Sequence, residues 1–414
     1  MEQPRNLKQQ KGLIIAKENS IKQITDDTWR VQRQSNCSKY YTIKVTPDGP
    51  TCTCANWKSE KEKCKHIYAM EYLIKNGYEK LKEIDYPEIK RKTYSQDWNK
   101  YNHAQKIEKR EFMKMLSNLL SNIREKEYEF GRPNIPVSDI LYALIFKVYS
   151  GLSTRRFSSD IHHAKEMDYI YQEMSYNTLF KYIKDESLQP FLVDLVELTA
   201  SPLRDIETDF AADSSGFGTS QFQRWFSYKH QKDKRMKKWV KCHIMTGVKT
   251  NIITAVRITT EFDADSPQFE ALVKDTNEIF DMQEVSADKA YSSRENLKTV
   301  YDHNATPLIP FRSNTTGKAR GSMAWSKAYH YFMAHYDEFM KKYHKRSNVE
   351  TTFHMIKSKF RDRVRSKTWS AQVNEVLCKI ICHNLCVLIQ EIQSLNLNIN
   401  LSAHDGGFQN ELLA

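Results

Sequence analysis

Three cysteines and one histidine fall within fifteen residues near the N-terminus, in the pattern Cys-x-Cys-x9-Cys-x-His. The four are Cys52, Cys54, Cys64 and His66. Thiolates and imidazoles are the ligands that Zn²⁺ prefers, and a closed set of four is typical of a structural site. The alternative is four unrelated residues, but the chain between them, such as Asn56-Trp57-Lys58, is too polar to bury them for packing alone. The pattern therefore predicts one structural zinc.

The chain on either side of these four residues has the patterns of strands and of a helix. Residues 22–48 alternate around a Thr46–Gly49 turn, which predicts a β-hairpin or short meander. Residues 65–76 carry apolar side chains on one helical face and end at Asn76-Gly77. With its four ligands, the segment 22–78 resembles the SWIM zinc finger. The resemblance implies one structural Zn²⁺ in a module that binds DNA or another protein.

The charge of the chain indicates the class of partner. Its 414 residues include 63 Lys and Arg against 51 Asp and Glu, a net charge of +12 that favours nucleic acid. No stretch is long and apolar enough for a membrane helix or a signal peptide. We therefore expect no membrane partner and a reducing, cytoplasmic compartment, at the nucleoid if the source is prokaryotic. No Gly-rich phosphate loop occurs, so we expect no nucleotide cofactor.

Hydrophobic periodicity divides the chain into parts of different character and predicts a multidomain α+β/α/β protein. The predicted parts are a small ββα zinc-finger module (1–78), a linker (79–95), a helical domain (96–205), a mixed-sheet domain with C-terminal helices (206–395) and a polar tail (396–414). Within the helical domain, residues 151–183 have the rhythm of a helix-turn-helix. That segment either binds DNA or consists of short helices that simply pack together.

Acidic residues end two of the predicted strands in the mixed-sheet domain. Asp213 follows Phe210-Ala211-Ala212, and Asp288 follows Glu284-Val285-Ser286-Ala287. Phosphoryl transfer to or from DNA commonly uses divalent cations held by a few carboxylates, so acids at strand ends are candidate ligands. Taken singly, each aspartate is also compatible with ordinary capping of a turn.

A third acid, Glu350, belongs to the pattern Tyr-x2-Arg-x3-Glu-x6-Lys. Its other members are Tyr343, Arg346 and Lys357. At 100° per residue the four fall within about 60° of one another on a helix. A solvated face with an i,i+4 ion pair between Arg346 and Glu350 is the simpler interpretation, but it does not account for the tyrosine.

This pattern resembles the signature of the DDE transposases of bacterial and archaeal insertion sequences. Asp213 in Asp-Ser-Ser-Gly and Asp288 in Ala-Asp-Lys-Ala-Tyr match the first two acids of that family. The resemblance implies an RNase H-like catalytic domain in which Asp213, Asp288 and Glu350 hold two Mg²⁺ or Mn²⁺ ions. It also implies that Tyr343, Arg346 and Lys357 hold the DNA backbone.

The activity that the resemblance implies is that of a DNA transposase, a metal-dependent endonuclease and strand transferase. Such an enzyme cuts at terminal inverted repeats and joins the 3′ ends to target double-stranded DNA. We expect a homodimer, because two ends must be paired. Two alternatives stay open: an RNase H-like nuclease without strand transfer, and a domesticated DNA-binding protein.

Two basic tracks are further candidates for phosphate contacts. The first lies between Lys229 and Lys241 and includes Lys237 and Lys238. In the second, basic residues alternate in period two, so that an extended segment would present all of them on one side. Its members are Lys357, Lys359, Arg361, Arg363, Arg365 and Lys367. The alternative is a solubilising surface, but such clustering favours DNA.

Overall fold

The chain forms two compact units, Met1–Ser95 and Gln96–Ala414. The computed structural model describes residues 7–18, 21–33, 36–47, 49–60, 62–82, 97–121, 123–125, 130, 134–219, 239–312, 315–318, 320–395, 397, 399 and 401.

The N-terminal unit is an antiparallel sheet with helices. Its strands, hydrogen-bonded in chain order, are β1 (Ile21–Thr25), β2 (Thr28–Arg33), β3 (Asn36–Thr46) and β4 (Gly49–Cys52). Its helices are α1 (Leu7–Lys17), α2 (Ala55–Glu60) and α3 (Lys65–Lys82). The meander and the following helix were predicted, whereas α1 and the number of strands were not, so the unit is larger than a minimal ββα finger.

Local chemistry accounts for the turns of this unit. Between β1 and β2, the Asp27 carboxylate accepts hydrogen bonds from the hydroxyls of Thr25 (2.6 Å) and Thr28 (3.0 Å). Gly49 adopts a φ of 119° at the predicted turn between β3 and β4, which a residue with a side chain rarely does. Gly77, with a φ of 68°, interrupts α3 where the sequence predicted the end of the helix.

The second unit begins with helices. They are α4 (Trp98–Leu120), α5 (Val137–Ser150), α6 (Thr154–Glu166), α7 (Tyr176–Tyr182) and α8 (Gln189–Ala200). Polar caps define several of their ends: the Asp97 carboxylate accepts from two backbone N–H groups at the start of α4, and Ser175 caps α7. Gly151, with a φ of 64°, ends α5.

A five-stranded mixed sheet follows. Its strands are β5 (Asp209–Gly218), β6 (Trp239–Gly247), β7 (Ile253–Thr260), β8 (Glu284–Ala287) and β9 (Thr306–Leu308). The spatial order is β7-β6-β5-β8-β9; β5, β6 and β7 are antiparallel, whereas β8 and β9 run parallel to β5. This is the RNase H-like arrangement, and it confirms the predicted fold class.

Among the described residues, six helices accompany the sheet: α9 (Ser266–Ile279), α10 (Arg294–Asp302), α11 (Met323–Ala334), α12 (Tyr336–Tyr343), α13 (Ser347–Phe360) and α14 (Trp369–Leu395). The sequence predicted one helical stretch over residues 325–358. The structure divides it at His335 and again at a 3₁₀ turn, His344–Arg346. Other 3₁₀ turns are Glu186–Leu188, Ser201–Leu203 and Lys289–Tyr291.

The core of this unit joins the helices and the sheet. Helix α14 packs against α4, α5 and α8, and buried residues from both the helical part and the sheet form one cluster. Asn384, fully buried on α14, accepts a hydrogen bond from the Ile253 N–H (2.9 Å) and donates to the Ile253 carbonyl (2.8 Å). This pairing satisfies backbone groups of β7 that would otherwise be buried without partners. Among the helices that the structure describes, none is long and apolar enough to cross a membrane.

Candidate functional site

Asp213 and Asp288 lie on neighbouring parallel strands. The last registered pair between β5 and β8 is Ala212 with Ala287, so the two aspartates come next on each strand. Parallel neighbours are separated by about 4.8 Å, which places both carboxylates side by side at the edge of the sheet where β8 ends. The prediction that Asp213 ends its strand is wrong, because pairing with β6 continues β5 to Gly218. Asp213 accepts from the Ser214 N–H (2.8 Å), and Asp288 accepts from the Lys289 N–H (2.6 Å) at the start of a 3₁₀ turn.

Helix α13 brings the third acid to the same edge. Glu350 is in the first turn of this helix, which packs against β5. Two polar contacts hold α13 on the far end of β6: the Asn348 amide donates to the Val248 carbonyl (2.5 Å), and the Thr352 hydroxyl lies 3.4 Å from that of Thr246. The structure therefore gathers the three predicted acids from three separate elements.

Arg346 is the side chain that links two of these acids. Its guanidinium donates to Asp213 (3.1 Å) and to Glu350 (2.7 Å). The arginine side chain is 17% exposed and that of Glu350 is 63% exposed, so the pair reaches from a half-buried position to the surface. The predicted i,i+4 ion pair is present, and it includes a third partner that the helical pattern could not predict.

The carboxylates at this edge repel one another. Burial raises the pKa of Asp213, and the charges of Asp288 and Glu350 raise it further, whereas the Ser214 N–H and Arg346 act in the opposite direction. One guanidinium does not neutralise three carboxylates. The ligand atoms are carboxylate oxygens, which hard cations prefer, and they concentrate negative charge in one place. The residues therefore fit a site for divalent cations such as Mg²⁺ or Mn²⁺.

The remaining members of the Tyr-Arg-Glu-Lys pattern flank the acids. Tyr343 is half-buried at the end of α12, its ring 5.8 Å from the Arg346 guanidinium, and burial raises its pKa. Lys357 donates to the Ser215 hydroxyl (2.6 Å) and lies 5.4 Å from the centre of the Phe217 ring. Burial lowers the pKa of Lys357. Lys357 is therefore attached to the strand that carries Asp213.

The two basic tracks have different outcomes. Lys237 and Lys238 lie outside the described residues. The second track is not one extended segment, because Lys357 and Lys359 are on α13, and Lys359 is ion-paired with Glu108. Only the part after α13 leaves the helix, starting at Arg361 with a φ of 73°. There Arg363 forms a bridge with Gly218 of β5, and Arg365 donates to the Leu152 carbonyl (2.8 Å).

A cluster of ion pairs that the sequence did not predict lies at the start of β5 and β8, four residues before Asp213 and Asp288. Lys345 contacts Asp209 (2.6 Å) and Glu284 (3.3 Å), and Lys342 contacts Glu284 (2.8 Å). Asp209 and Glu284 are registered partners that start β5 and β8. The cluster ties the chain just before α13 to the sheet. The sequence does carry a signal for this cluster. It has an acid at the start of each of two paired strands and two lysines three residues apart.

The N-terminal unit contains the predicted metal-ligand group. Cys52, Cys54, Cys64 and His66 are all buried, and their ligand atoms lie within 4.8 Å of one another. The Nδ1 atom of His66 is 3.8 Å from the sulfurs of both Cys52 and Cys64. Tetrahedral Zn²⁺ with bonds of about 2.0–2.3 Å requires ligand separations of this order. A hydrogen bond from Cys52 lowers the pKa of the Cys64 thiol, so one thiolate is already favoured. The residues fit a structural zinc.

Comparisons with known proteins agree with both motifs. Residues 205–385 match the family model of the transposase DDE domain, and residues 41–75 match that of the SWIM zinc finger. Both predicted resemblances are therefore confirmed. No curated protein matches the chain significantly. One similar solved structure is described as a piggyBac transposase synaptic complex with hairpin DNA; it is 12% identical over 70% of this chain and 74% of that chain, with a TM-score of 0.34.

Proposed function

We propose that this chain, which combines a transposase DDE domain with a SWIM zinc finger, is a DNA transposase that cuts at the terminal inverted repeats of an insertion sequence and transfers the 3′ ends to target DNA. The observation that carries the proposal is the convergence of Asp213, Asp288 and Glu350 at one edge of the sheet. These residues come from segments 62 or more positions apart in sequence, and nothing in simple packing requires three acids to meet there.

In this proposal Asp213, Asp288 and Glu350 would hold two Mg²⁺ or Mn²⁺ ions, which would supply activation of the attacking oxygen and stabilisation of the leaving oxygen. The chain itself positions the DNA. Lys357, fixed by Ser215, and Arg346 supply positive charge on either side of Glu350 for backbone phosphates. Tyr343 lies against Arg346 and restricts its orientation. Holding the scissile phosphate in line with its attacking group is the main contribution that such residues can make.

Because two transposon ends are processed together, we also propose that the protein acts as a homodimer on double-stranded DNA. The zinc finger would contribute a second surface for DNA or protein. Lys58 and Lys65 near its ligands favour phosphate, as does the overall charge of +12.

The decisive substitution is Glu350→Gln, which removes a charge and keeps the size of the side chain. We expect Mg²⁺-dependent nicking at transposon ends to fall by more than about a hundred-fold, while end binding in a gel-shift assay stays nearly unchanged. Glu338→Gln, on the adjacent helix α12, is the matched control and should cleave normally. Cleavage by Glu350→Gln at the normal rate would refute the assignment of the site.

The nuclease alternative requires a separate experiment. Supplied with pre-cleaved transposon ends and a circular target, a transposase joins the 3′-OH groups to the target, and the products migrate as larger species on a gel. A nuclease cleaves but forms no joined product. Joining that also disappears in Glu350→Gln would support one site for both steps, whereas cleavage without any joining would favour the nuclease.

A further inference from the structure

A large groove lies apart from the carboxylates in the second unit. It has a volume of about 940 Å³ and is formed by the end of α5, the starts of α6 and α14, helix α7 and the segment 361–368. None of the three acids lines it. Its size is within the range of cavities that bury an organic ligand, roughly 300–1,000 Å³.

The rim of this groove is strongly basic. Six cations line it and no carboxylate does: Lys147, Arg156, Lys184, Arg361, Arg365 and Lys367. None of the six forms an ion pair with a carboxylate of the described residues. Burial lowers the pKa of Arg365, as do the charges of Arg361 and Arg363, whereas Glu375, which accepts from the Arg365 N–H (2.9 Å), acts in the opposite direction. The six rim cations exceed this neighbouring carboxylate, and such an excess of positive charge indicates an anionic ligand.

The floor of the groove is apolar. Leu179, Ile183 and Ala371 are buried beneath it, while Leu152 (37% exposed) and Phe180 (50% exposed) present their side chains to solvent. A duplex would neutralise the cations but leave this floor facing water, because its bases stay stacked inside. Unpaired DNA exposes both phosphates and base faces, and aromatic or apolar side chains bind those faces without regard to sequence.

The wall of the groove is connected to the carboxylate site. Segment 361–368 follows α13 directly, and Gly218 of β5 donates to the Asp362 carbonyl (3.0 Å) and accepts from the Val364 N–H (2.9 Å). From Gly218 back to Asp213 along the extended strand is about 17 Å. A single strand that leaves the acids therefore has a short path to the groove.

We propose that this groove binds a short segment of unpaired DNA, with bases against Phe180 and the apolar floor and phosphates on the basic rim. The inference rests on the proposed function, because it takes DNA as the substrate. Unpaired strands arise when a DNA end is opened for cutting or joining, and the groove would hold such a strand away from its complement.

Binding is tested with the full-length, zinc-loaded protein in buffer without Mg²⁺ or chelator by fluorescence anisotropy, with labelled oligothymidylate and with the same strand annealed to its complement. Phe180→Ala should weaken oligothymidylate binding about ten-fold and change duplex binding less than about two-fold. The matched control is Phe262→Ala, since Phe262 is 75% exposed and does not line the groove. Equal losses for single strand and duplex, or equal losses for the two variants, would overturn the proposal.

The charge of the rim is tested by salt dependence. Lys184→Ala should reduce the slope of log K against log salt for oligothymidylate by about 0.7, the value of one phosphate contact on a single strand. Lys181→Ala, three residues earlier in the last turn of α7 and outside the groove, should leave the slope unchanged. Competition by polyglutamate as effective as that by unlabelled oligothymidylate would overturn the proposal in favour of an acidic peptide.

These measurements separate the two proposals. Binding is read without Mg²⁺ and without cleavage, so a protein that binds oligothymidylate through Phe180 but never nicks transposon ends would support the groove and refute the transposase. The reverse result is a protein that nicks transposon ends normally but in which Phe180→Ala weakens single-strand and duplex binding equally. That result would refute the groove and leave the transposase proposal intact. Photo-crosslinking of oligo-5-iododeoxyuridylate to Phe180, read by mass spectrometry, should label the wild-type groove.

Discussion

Arg346 is the residue with the largest influence on the acids, because its guanidinium contacts both Asp213 and Glu350. A cation in this position competes electrostatically with any metal ion held by the same carboxylates. Repulsion between charges a few ångströms apart at a half-exposed site amounts to about 1–4 kcal/mol. Arg346 is therefore expected to weaken metal binding even as it attracts DNA phosphates.

Replacement of Arg346 by alanine tests this dual role. We expect Arg346→Ala to bind Mn²⁺ roughly ten-fold more tightly, measured by calorimetry without DNA, and yet to cleave transposon ends more slowly. Lys345→Ala is the control, since Lys345 is ion-paired with Asp209 and Glu284 instead of the three acids. Weaker Mn²⁺ binding in Arg346→Ala would contradict the expectation.

His383 provides a prediction about pH. It is 3% exposed on α14, its Nε2 donates to the Asn251 carbonyl (2.9 Å), and burial lowers its pKa to about 4 from an ordinary 6.5. Between these values the unfolded chain binds a proton that the folded chain does not. The contribution of His383 to stability is therefore complete above about pH 6.5 and is lost as the pH falls.

From pH 7 to pH 5 this histidine should cost the folded state about 2 kcal/mol. Urea unfolding of wild type and His383→Gln at several pH values measures this cost. Glutamine is chosen because it keeps a donor for the Asn251 carbonyl but does not titrate. The difference between the two free energies of unfolding should shrink towards pH 5. A difference independent of pH would show that the imidazole is not held neutral.

At the scale of elements, helix α1 is the addition to the zinc-finger unit that the sequence did not predict. It packs on α3 through Gly12, where a Cβ would lie 2.7 Å from both the Lys65 carbonyl oxygen and the Tyr68 Cβ. The backbone atom cannot move aside as the end of a flexible side chain could. Gly12 therefore sets how closely the two helices approach.

Gly12→Ala should push α1 from α3 and destabilise the N-terminal unit by roughly 1–3 kcal/mol. Lys11→Ala, the exposed neighbour on the same helix, is the control for helix propensity. The zinc-loaded protein is heated, and unfolding is monitored by the release of zinc to a colorimetric chelator. This signal reports on the N-terminal unit alone. Release at the wild-type temperature in Gly12→Ala would show that the close packing contributes little.

The long helical stretch shows where a local pattern is insufficient. Tyr343, Arg346, Glu350 and Lys357 have helical spacing, and the Arg346–Glu350 contact forms as the spacing predicts. The chain nevertheless turns as a 3₁₀ segment at His344–Arg346, beside the ion pairs of Lys345 with the sheet. Tertiary contacts of this kind override propensity at individual positions.

At the scale of the whole molecule, the two units have separate hydrophobic clusters. The N-terminal cluster contains the three cysteines of the metal-ligand group, together with residues such as Trp29 and Ile67. Within the described residues, the larger cluster extends from α4 to Leu401. A cluster that includes metal ligands depends on the metal, because the ligand geometry that it packs around is stabilised by binding.

We therefore expect one zinc per chain and loss of that zinc in Cys64→Ser. Calorimetric scans should show that the substitution removes or lowers the unfolding transition of the N-terminal unit and leaves the transition of the second unit in place. Cys242→Ser, a buried cysteine of the sheet outside the ligand group, is the control for zinc content. Full-length protein that is folded and free of metal would refute the zinc site.

The sequence by itself identified four candidate zinc ligands, three candidate catalytic acids and the resemblance to both families, and it predicted the succession of strands and helices apart from α1, the number of N-terminal strands and the division of the stretch 325–358. These features are short-range spacings or patterns that a single segment carries. Only the tertiary structure decided that Asp213 and Asp288 are adjacent in register, that Arg346 spans two acids and that six cations surround an apolar groove. The physical reason is that such sites form between segments far apart in the chain, whose approach depends on strand pairing and on the shared core rather than on local periodicity.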